Sequence, residues 1–156
     1  MNPYASYLGG RDPLEVIRAT PAHIESLITE RSSETLNRKP APGKWSVREI
    51  LSHLADCEIV FAFRLRQALA ENDHVIQPFD QDAWATTYSR NDATRALAVF
   101  SIVRQWNVAL IQEMSATDLA RTLNHPERGD MTVKVVVDTM GGHDINHLGQ
   151  IERILA

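Results

Sequence analysis

The chain has 156 residues, 44% of them hydrophobic and 23% charged, with a net charge of −4 and a single cysteine. A chain of this length buries a proper core without disulfides or a structural metal, and lone Cys57 excludes an internal disulfide, which points to a reducing, cytoplasmic compartment. The acidic balance argues against nucleic acid or an anionic membrane as a partner. No apolar run is long enough to span a bilayer. The start, MNPYASYLGGRDPLE, lacks the basic-then-apolar pattern of a signal peptide. No internal repeat is visible, and residues 1–156 are expected to form one domain.

The first helix is expected over DPLEVIRATPAHIESLITER, with Asp12 as its cap and Pro13 at the first helical position. Leu14, Ile17, Ile24 and Leu27 or Ile28 give it an apolar stripe. Thr20-Pro21 is expected to kink it, or to restart it with Thr20 as the new cap. A connection rich in proline and glycine follows, SSETLNRKPAPGKW, with one short helical turn at Ser33 to Leu36. The second helix opens on Ser46 with Glu49 three residues on, a capping box, and runs to about Glu71. Trp45, just before that cap, is expected to pack as a hydrophobic staple.

Residues 72–91 lack sustained periodicity, apart from one turn at DQDAWA. A connection of about twenty residues is long for helices joined by a tight turn. It permits a crossover to the far end of a bundle. Trp84 and Tyr88 within it are candidate pocket walls. The third helix, DATRALAVFSIVRQWNVALIQEM, is capped by Asn91 or Asp92, with Leu97, Val99, Phe100, Val103, Trp106, Leu110 and Met114 as its core face. SATDLARTLNHPERGDM reads as a loop. Thr132 caps the fourth helix, VKVVVDTMGGHDINHLGQIERILA, which has some strand character at its valine-rich start and a weak middle at Gly141-Gly142. Four long helices and no convincing strand make an all-α four-helix bundle.

The fourth helix carries the chemistry. His143 and His147 lie four residues apart, so they share a face. At about 100° per residue, His143, Met140, Val136, Ile151 and Ile154 all fall within about 40° of His147. Both histidines therefore point into the bundle, where each ring nitrogen needs a partner. On the second helix His53 shares a face with Ile50, Cys57 and Val60. It lies roughly 10 Å from that helix's start, and His147 roughly 13 Å from the chain end, at 1.5 Å per residue. If the two helices are antiparallel the three imidazoles meet. Three neutral histidines suit zinc, nickel, copper or ferrous iron and leave a position open for water or substrate. Such an ion makes a water or a thiol nucleophilic at neutral pH.

Gln150, Asp144, Asp56 and Glu49 lie beside these stripes as candidates to orient the rings. Asp144 and Glu49 are also acid–base candidates. Cys57, one turn after His53, is a fourth ligand, a reactive thiol, or a small apolar filler. Arg64, on the His53 stripe, binds an anionic substrate or pairs with a bundle carboxylate. His125 reads as a turn residue, and His74 and His23 as surface or locally bonded ones. The bland reading also stays open: histidines four apart arise by chance, and the three rings could be satisfied separately. HDINH echoes the zinc-protease pattern but has Asp144 in place of its glutamate, and the Glu-x-x-His pairs of di-iron bundles are missing.

PAPGKWSVREILSHLADCE, the FDQDAWA loop and, about ninety residues after the first, HDINHLGQI together resemble the DinB-like superfamily of bacterial metal-binding bundles over nearly the whole chain. The resemblance implies a down-up-up-down helix order, in agreement with the long crossover between helices two and three. It also implies a divalent metal, zinc or nickel first, with iron, copper or manganese as alternatives, on His53, His143 and His147. It further implies a homodimer acting on a small-molecule substrate, and a thiol-dependent enzyme such as an S-transferase that uses a low-molecular-weight thiol. The family's name comes from induction by DNA damage, a stress response, and not from binding DNA. The alternative is a non-catalytic metal-binding or stress-linked interaction protein with a structural site.

Overall fold

The structure, a computed structural model, describes residues 2–156. Its helices are α1 (Ala5–Leu8), α2 (Pro13–Ile28), α3 (Ser33–Asn37), α4 (Val47–Ala70), α5 (Gln81–Ala85), α6 (Ala93–Gln112), α7 (Ala116–Ala120) and α8 (Val133–Leu155). Each long helix starts where its cap residue dictates. Asp12 accepts from the Leu14 amide at 2.8 Å, Asp92 from Arg95 at 2.9 Å and Thr132 from Val135 at 3.4 Å. Ser46 and Glu49 close a reciprocal box at 2.8 and 3.3 Å. Each cap satisfies amides that an uncapped first turn would leave bare.

The four long helices form a bundle with two apolar clusters. One gathers Ile17 of α2, Phe61 and Leu65 of α4, Ile111 of α6 and Met140 of α8. The other gathers Ile24, Leu51, Phe100 and Ile151 from the same four helices. Going from the first cluster to the second, residue numbers rise along α2 and α8 and fall along α4 and α6. Helices α4 and α6 are therefore parallel to each other and antiparallel to α2 and α8, which is the down-up-up-down order. Residues 71–92 make the crossover that this order requires.

Between the clusters, each of α4, α6 and α8 places polar side chains in the core: His53 and Glu58, Arg104 and Asn107, and His143, Asp144 and His147, all at most 5% exposed. Arg104 organises this layer. Its guanidinium donates to Asp144 at 2.5 and 3.1 Å, to Glu58 at 2.7 Å and to the Ile17 carbonyl at 2.9 Å, and it stacks on Phe100. Asn107 bridges Glu58 at 2.7 Å and Arg66 at 2.8 Å. One guanidinium thus ties all four helices. Burial alone would lower its pKa, but the two carboxylates more than offset this and push it up.

The restart offered as one outcome at Thr20-Pro21 does not occur. Helix α2 is continuous, and Thr20 donates back to the Val16 carbonyl at 2.9 Å instead of capping a new helix. Proline removes the amide that would have bonded the Ile17 carbonyl. Arg104 takes that carbonyl, so the proline creates an acceptor that the buried guanidinium needs. The face expected for the third helix also shifts. Trp106 is 67% exposed, and the buried stripe runs through Phe100, Arg104, Asn107 and Ile111. Two polar residues continue the 3–4 spacing, so a hydrophobicity pattern alone aims Trp106 inward.

Strands are present where none was expected. β1 (His74–Val75), β2 (Thr122–His125) and β3 (Gly129–Thr132) make a small sheet in the order β1-β2-β3. β1 runs parallel to β2, with His74 opposite Leu123, and β2 pairs antiparallel with β3, with Leu123 opposite Met131. It covers the end of the bundle through Leu123 and Met131, which join the first apolar cluster. Strands of two to four residues are too short to show an alternating pattern.

The N-terminal segment packs on α8 at the glycine pair. A Cβ on Gly142 would collide with the backbone of Tyr4, and one on Gly141 would sit 3.1 Å from Leu8 and Pro13. Those glycines weaken the helix but allow this approach.

Two predictions follow from the packing. Arg104→Met leaves two buried carboxylates without their cation and is expected to cost about 3–5 kcal/mol in urea denaturation. Neutralising both carboxylates in the same background, by Glu58→Gln with Asp144→Asn, should recover part of that loss. Gly142→Ala should destabilise by about 1–3 kcal/mol through overpacking. Gly149→Ala, which meets only the flexible tip of Arg153 at 3.3 Å, should be neutral or slightly stabilising, through helix propensity.

Candidate metal centre

The antiparallel setting of α4 and α8 brings the three predicted histidines together. Ring centroids are 5.1 Å apart for His53 and His143, 4.9 Å for His53 and His147 and 4.4 Å for His143 and His147. The Nε2 atoms of His53 and His143 face each other at 3.0 Å. Gln150 holds His147 through its Oε1, 3.1 Å from Nδ1. A neutral His147 that donates from Nδ1 keeps a free lone pair on Nε2.

Cys57 joins the cluster from one turn along α4. Its sulfur lies 3.5 Å from His53 Nε2, and one ligand atom from each of His53, Cys57 and His143 lies within 4.8 Å of the others. The surroundings are aromatic and dry. Tyr4 meets His143 edge-on at 5.1 Å, Trp45 lies 4.9 Å from His53, and Phe61 lies 6.2 Å from His143. Trp45, expected as a helix staple, therefore serves as a wall of the cluster. Tyr4 was not foreseen. The signal for it was the glycine pair next to His143, which marks a close approach of backbone.

Burial sets the protonation. It pushes His53 down to about 3 and His147 down to about 4, and holds His143 well below the ordinary histidine value, with the neighbouring imidazoles adding to the shift at His53 and His143. Burial pushes the Cys57 thiol up. All three rings are thus neutral donors at physiological pH, the form in which imidazole ligates metals. The donor set fits a divalent ion on spacing too. Two nitrogens about 2.0 Å from one tetrahedral zinc lie roughly 3.3 Å apart, close to the 3.0 Å seen here.

Of the proposed orienting residues, only Gln150 bonds an imidazole among the described residues. Asp144 turns to Arg104. Glu49 is used by the Ser46 cap and by Lys39 at 2.9 Å. Asp56 lines a cavity of about 180 Å³ with Arg90 and Arg95. Asp144 and Glu49 are therefore not available as acid or base at the cluster. Among the described residues, Arg64 pairs with no carboxylate. It reaches the Gln77 carbonyl at 3.4 Å and lies over Phe79. His74 bonds Glu71 at 2.9 Å, His23 lies 3.5 Å from Glu152, and His125, itself buried on β2, accepts from the Glu127 amide at 3.2 Å.

A cleft of about 530 Å³ adjoins the cluster, lined by Lys44, Trp45, Ile50, Asp82, Gln150 and Arg153 among others. Trp45 and Gln150 belong to both, since one packs on His53 and the other bonds His147. Trp84 lines a separate groove with Phe63, Arg64 and Phe79. Tyr88 is fully buried, 6.0 Å from Trp45.

The protonation states have a measurable consequence for the metal-free protein. A buried imidazole whose folded pKa lies below its unfolded value of about 6.5 leaves stability unaffected above that pH. Below it, the unfolded state takes up the proton first. Stability should be flat above about pH 6.5 and fall by roughly 1.4 kcal/mol per pH unit per imidazole down to about pH 4. Denaturant unfolding across this range checks it. His53→Ala should flatten the slope, and an unchanged slope would contradict the assignment.

Comparison with known proteins gives three findings. The sequence model of the DinB superfamily matches residues 16–151. A protein of Oceanobacillus iheyensis, named "Putative metal-dependent hydrolase", is 29% identical over 136 residues, 86% of this chain and 79% of that one. A Bacillus cereus protein of the same name is 26% identical over 140 residues, covering 88% and 80%. The fold superposes on YfiT from Bacillus subtilis with a TM-score of 0.81 at 22% identity, over 90% of this chain and 84% of that chain. That structure is described as "a probable metal-dependent hydrolase with an unusual four-helix bundle topology". Among the described residues, no helix is long and apolar enough to cross a membrane.

Proposed function

The chain belongs to the DinB superfamily, and on that premise we propose that it is a metal-dependent enzyme acting on a small molecule. His53, His143 and His147 are its ligands for one divalent ion, zinc or nickel first, with iron, copper and manganese as alternatives. The observation that carries this reading is the meeting of three buried neutral imidazoles beside an open cleft. When bound, the ion supplies Lewis acidity that makes a water or a thiol nucleophilic at neutral pH.

The protein's own residues do the rest. Gln150 holds the Nδ1 proton of His147 and so keeps its other nitrogen turned toward the site. Tyr4, Trp45 and Phe61 exclude bulk water, which strengthens every polar interaction inside. Around the cleft Lys44 and Arg153 outnumber Asp82, a balance that favours a substrate with negative charge.

Hydrolysis is the leading chemistry, supported by the names of the relatives. S-transfer from a low-molecular-weight thiol, supported by the family resemblance, would use the same ion and cleft. A purely structural site would be sealed by its protein ligands, and the cleft beside Gln150 and Trp45 favours the enzyme. We also propose a homodimer, supported by the family resemblance, and a cytoplasmic protein without nucleic-acid or membrane partners, supported by the lone cysteine and the acidic balance.

Metal analysis of the purified protein is the test. Wild type should carry about one ion per chain, and His147→Ala should lose most of it. Gln150→Ala should retain the fold and weaken metal affinity by about 10–100-fold. Activity on a panel of esters and amides, and consumption of a thiol with electrophiles, should vanish on chelation and return with the ion. Equal metal content in wild type and His147→Ala would overturn the assignment.

A further inference from the structure

We infer, building on the metal site proposed above, that Cys57 supplies a sulfur ligand to the ion held by His53, His143 and His147. It is a fourth protein donor, beside which the cleft side is used by expansion to five coordinates. Two observations carry this. First, the sulfur lies where such a ligand belongs. A sulfur at about 2.3 Å and a nitrogen at about 2.0 Å from one tetrahedral zinc lie roughly 3.5 Å apart, and Cys57 Sγ is 3.5 Å from His53 Nε2. The same nitrogen faces His143 Nε2 at 3.0 Å, so one small volume is bounded by all three donor atoms.

Second, sequence spacing aims Cys57 there. It follows His53 by four residues on α4, one turn along the same face, as His147 follows His143 on α8. Each helix thus carries two potential donors one turn apart.

Binding through sulfur would break the S–H bond and release its proton to solvent. A thiolate donor also shifts selectivity toward zinc and away from manganese.

Cobalt substitution reads the bond directly, whatever the enzyme's activity. The cobalt-loaded wild type should show an intense thiolate-to-cobalt charge-transfer band in the near ultraviolet. Cys57→Ser and Cys57→Ala should lose that band while still binding cobalt. Both should bind zinc at least about tenfold more weakly, with manganese affinity little changed. Circular dichroism of the metal-free variants checks that they fold, and the small change in volume favours this. A cobalt protein that shows only nitrogen- and oxygen-type d–d bands, or a charge-transfer band that survives in both variants, overturns the sulfur ligand and leaves the histidine site standing. Failure of wild type to bind cobalt or zinc at all overturns both.

Discussion

The fold turns on one guanidinium. Arg104 is fully enclosed, and every group it bonds comes from a different helix: the Ile17 carbonyl, Glu58 and Asp144. A buried charge of this kind stabilises the fold only if all its partners are in place, because desolvation is costly and a missing partner leaves an orphan. That requirement favours one mutual register of the four helices over others that would bury as much apolar surface. Asp144 lies directly after His143 and three residues before His147. When Asp144 reaches Arg104, the two histidines are turned toward α4. The buried ion pair and the candidate metal centre are thus neighbouring parts of one polar layer.

The centre combines neutral donors with dry walls. Burial keeps the imidazoles unprotonated, aromatic rings from Tyr4, Trp45 and Phe61 close around them, and Gln150 fixes one tautomer. In the metal-free protein the rings bond to one another and to Gln150, and an ion would take several of their lone pairs at once. The glycine pair of α8 contributes by letting the N-terminal segment lie against the helix and place Tyr4 on His143.

Much of this was legible in the sequence because it is written in local chemistry. The caps at Asp12, Ser46, Asp92 and Thr132 are short-range signals, and the helices start at them. The convergence of His53, His143 and His147 follows from helical spacing and rise once the second and fourth helices are antiparallel. What escaped depends on partners distant in sequence. Trp106 looks like a core residue until Arg104 and Asn107 are known to be paired with Glu58, since no hydrophobicity pattern places an arginine inside. Asp144 and Glu49 looked free to serve the histidines because their partners, Arg104 and Lys39, lie 40 and 10 residues away. The sheet was missed because its strands are too short for periodicity, and Tyr4 because a four-residue helix leaves no pattern. Pro21 invites a kink or a restart, whereas the helix continues through it and the carbonyl it releases is one that Arg104 bonds.

The central claim is that the three imidazoles of α4 and α8 surround a single ion. Diffraction from zinc-loaded crystals, recorded on both sides of the zinc absorption edge, tests it most directly. The account predicts one anomalous peak per chain, within bonding distance of nitrogens from His53, His143 and His147. A peak elsewhere, or an empty cluster whose rings bond only to one another and to Gln150, would contradict it.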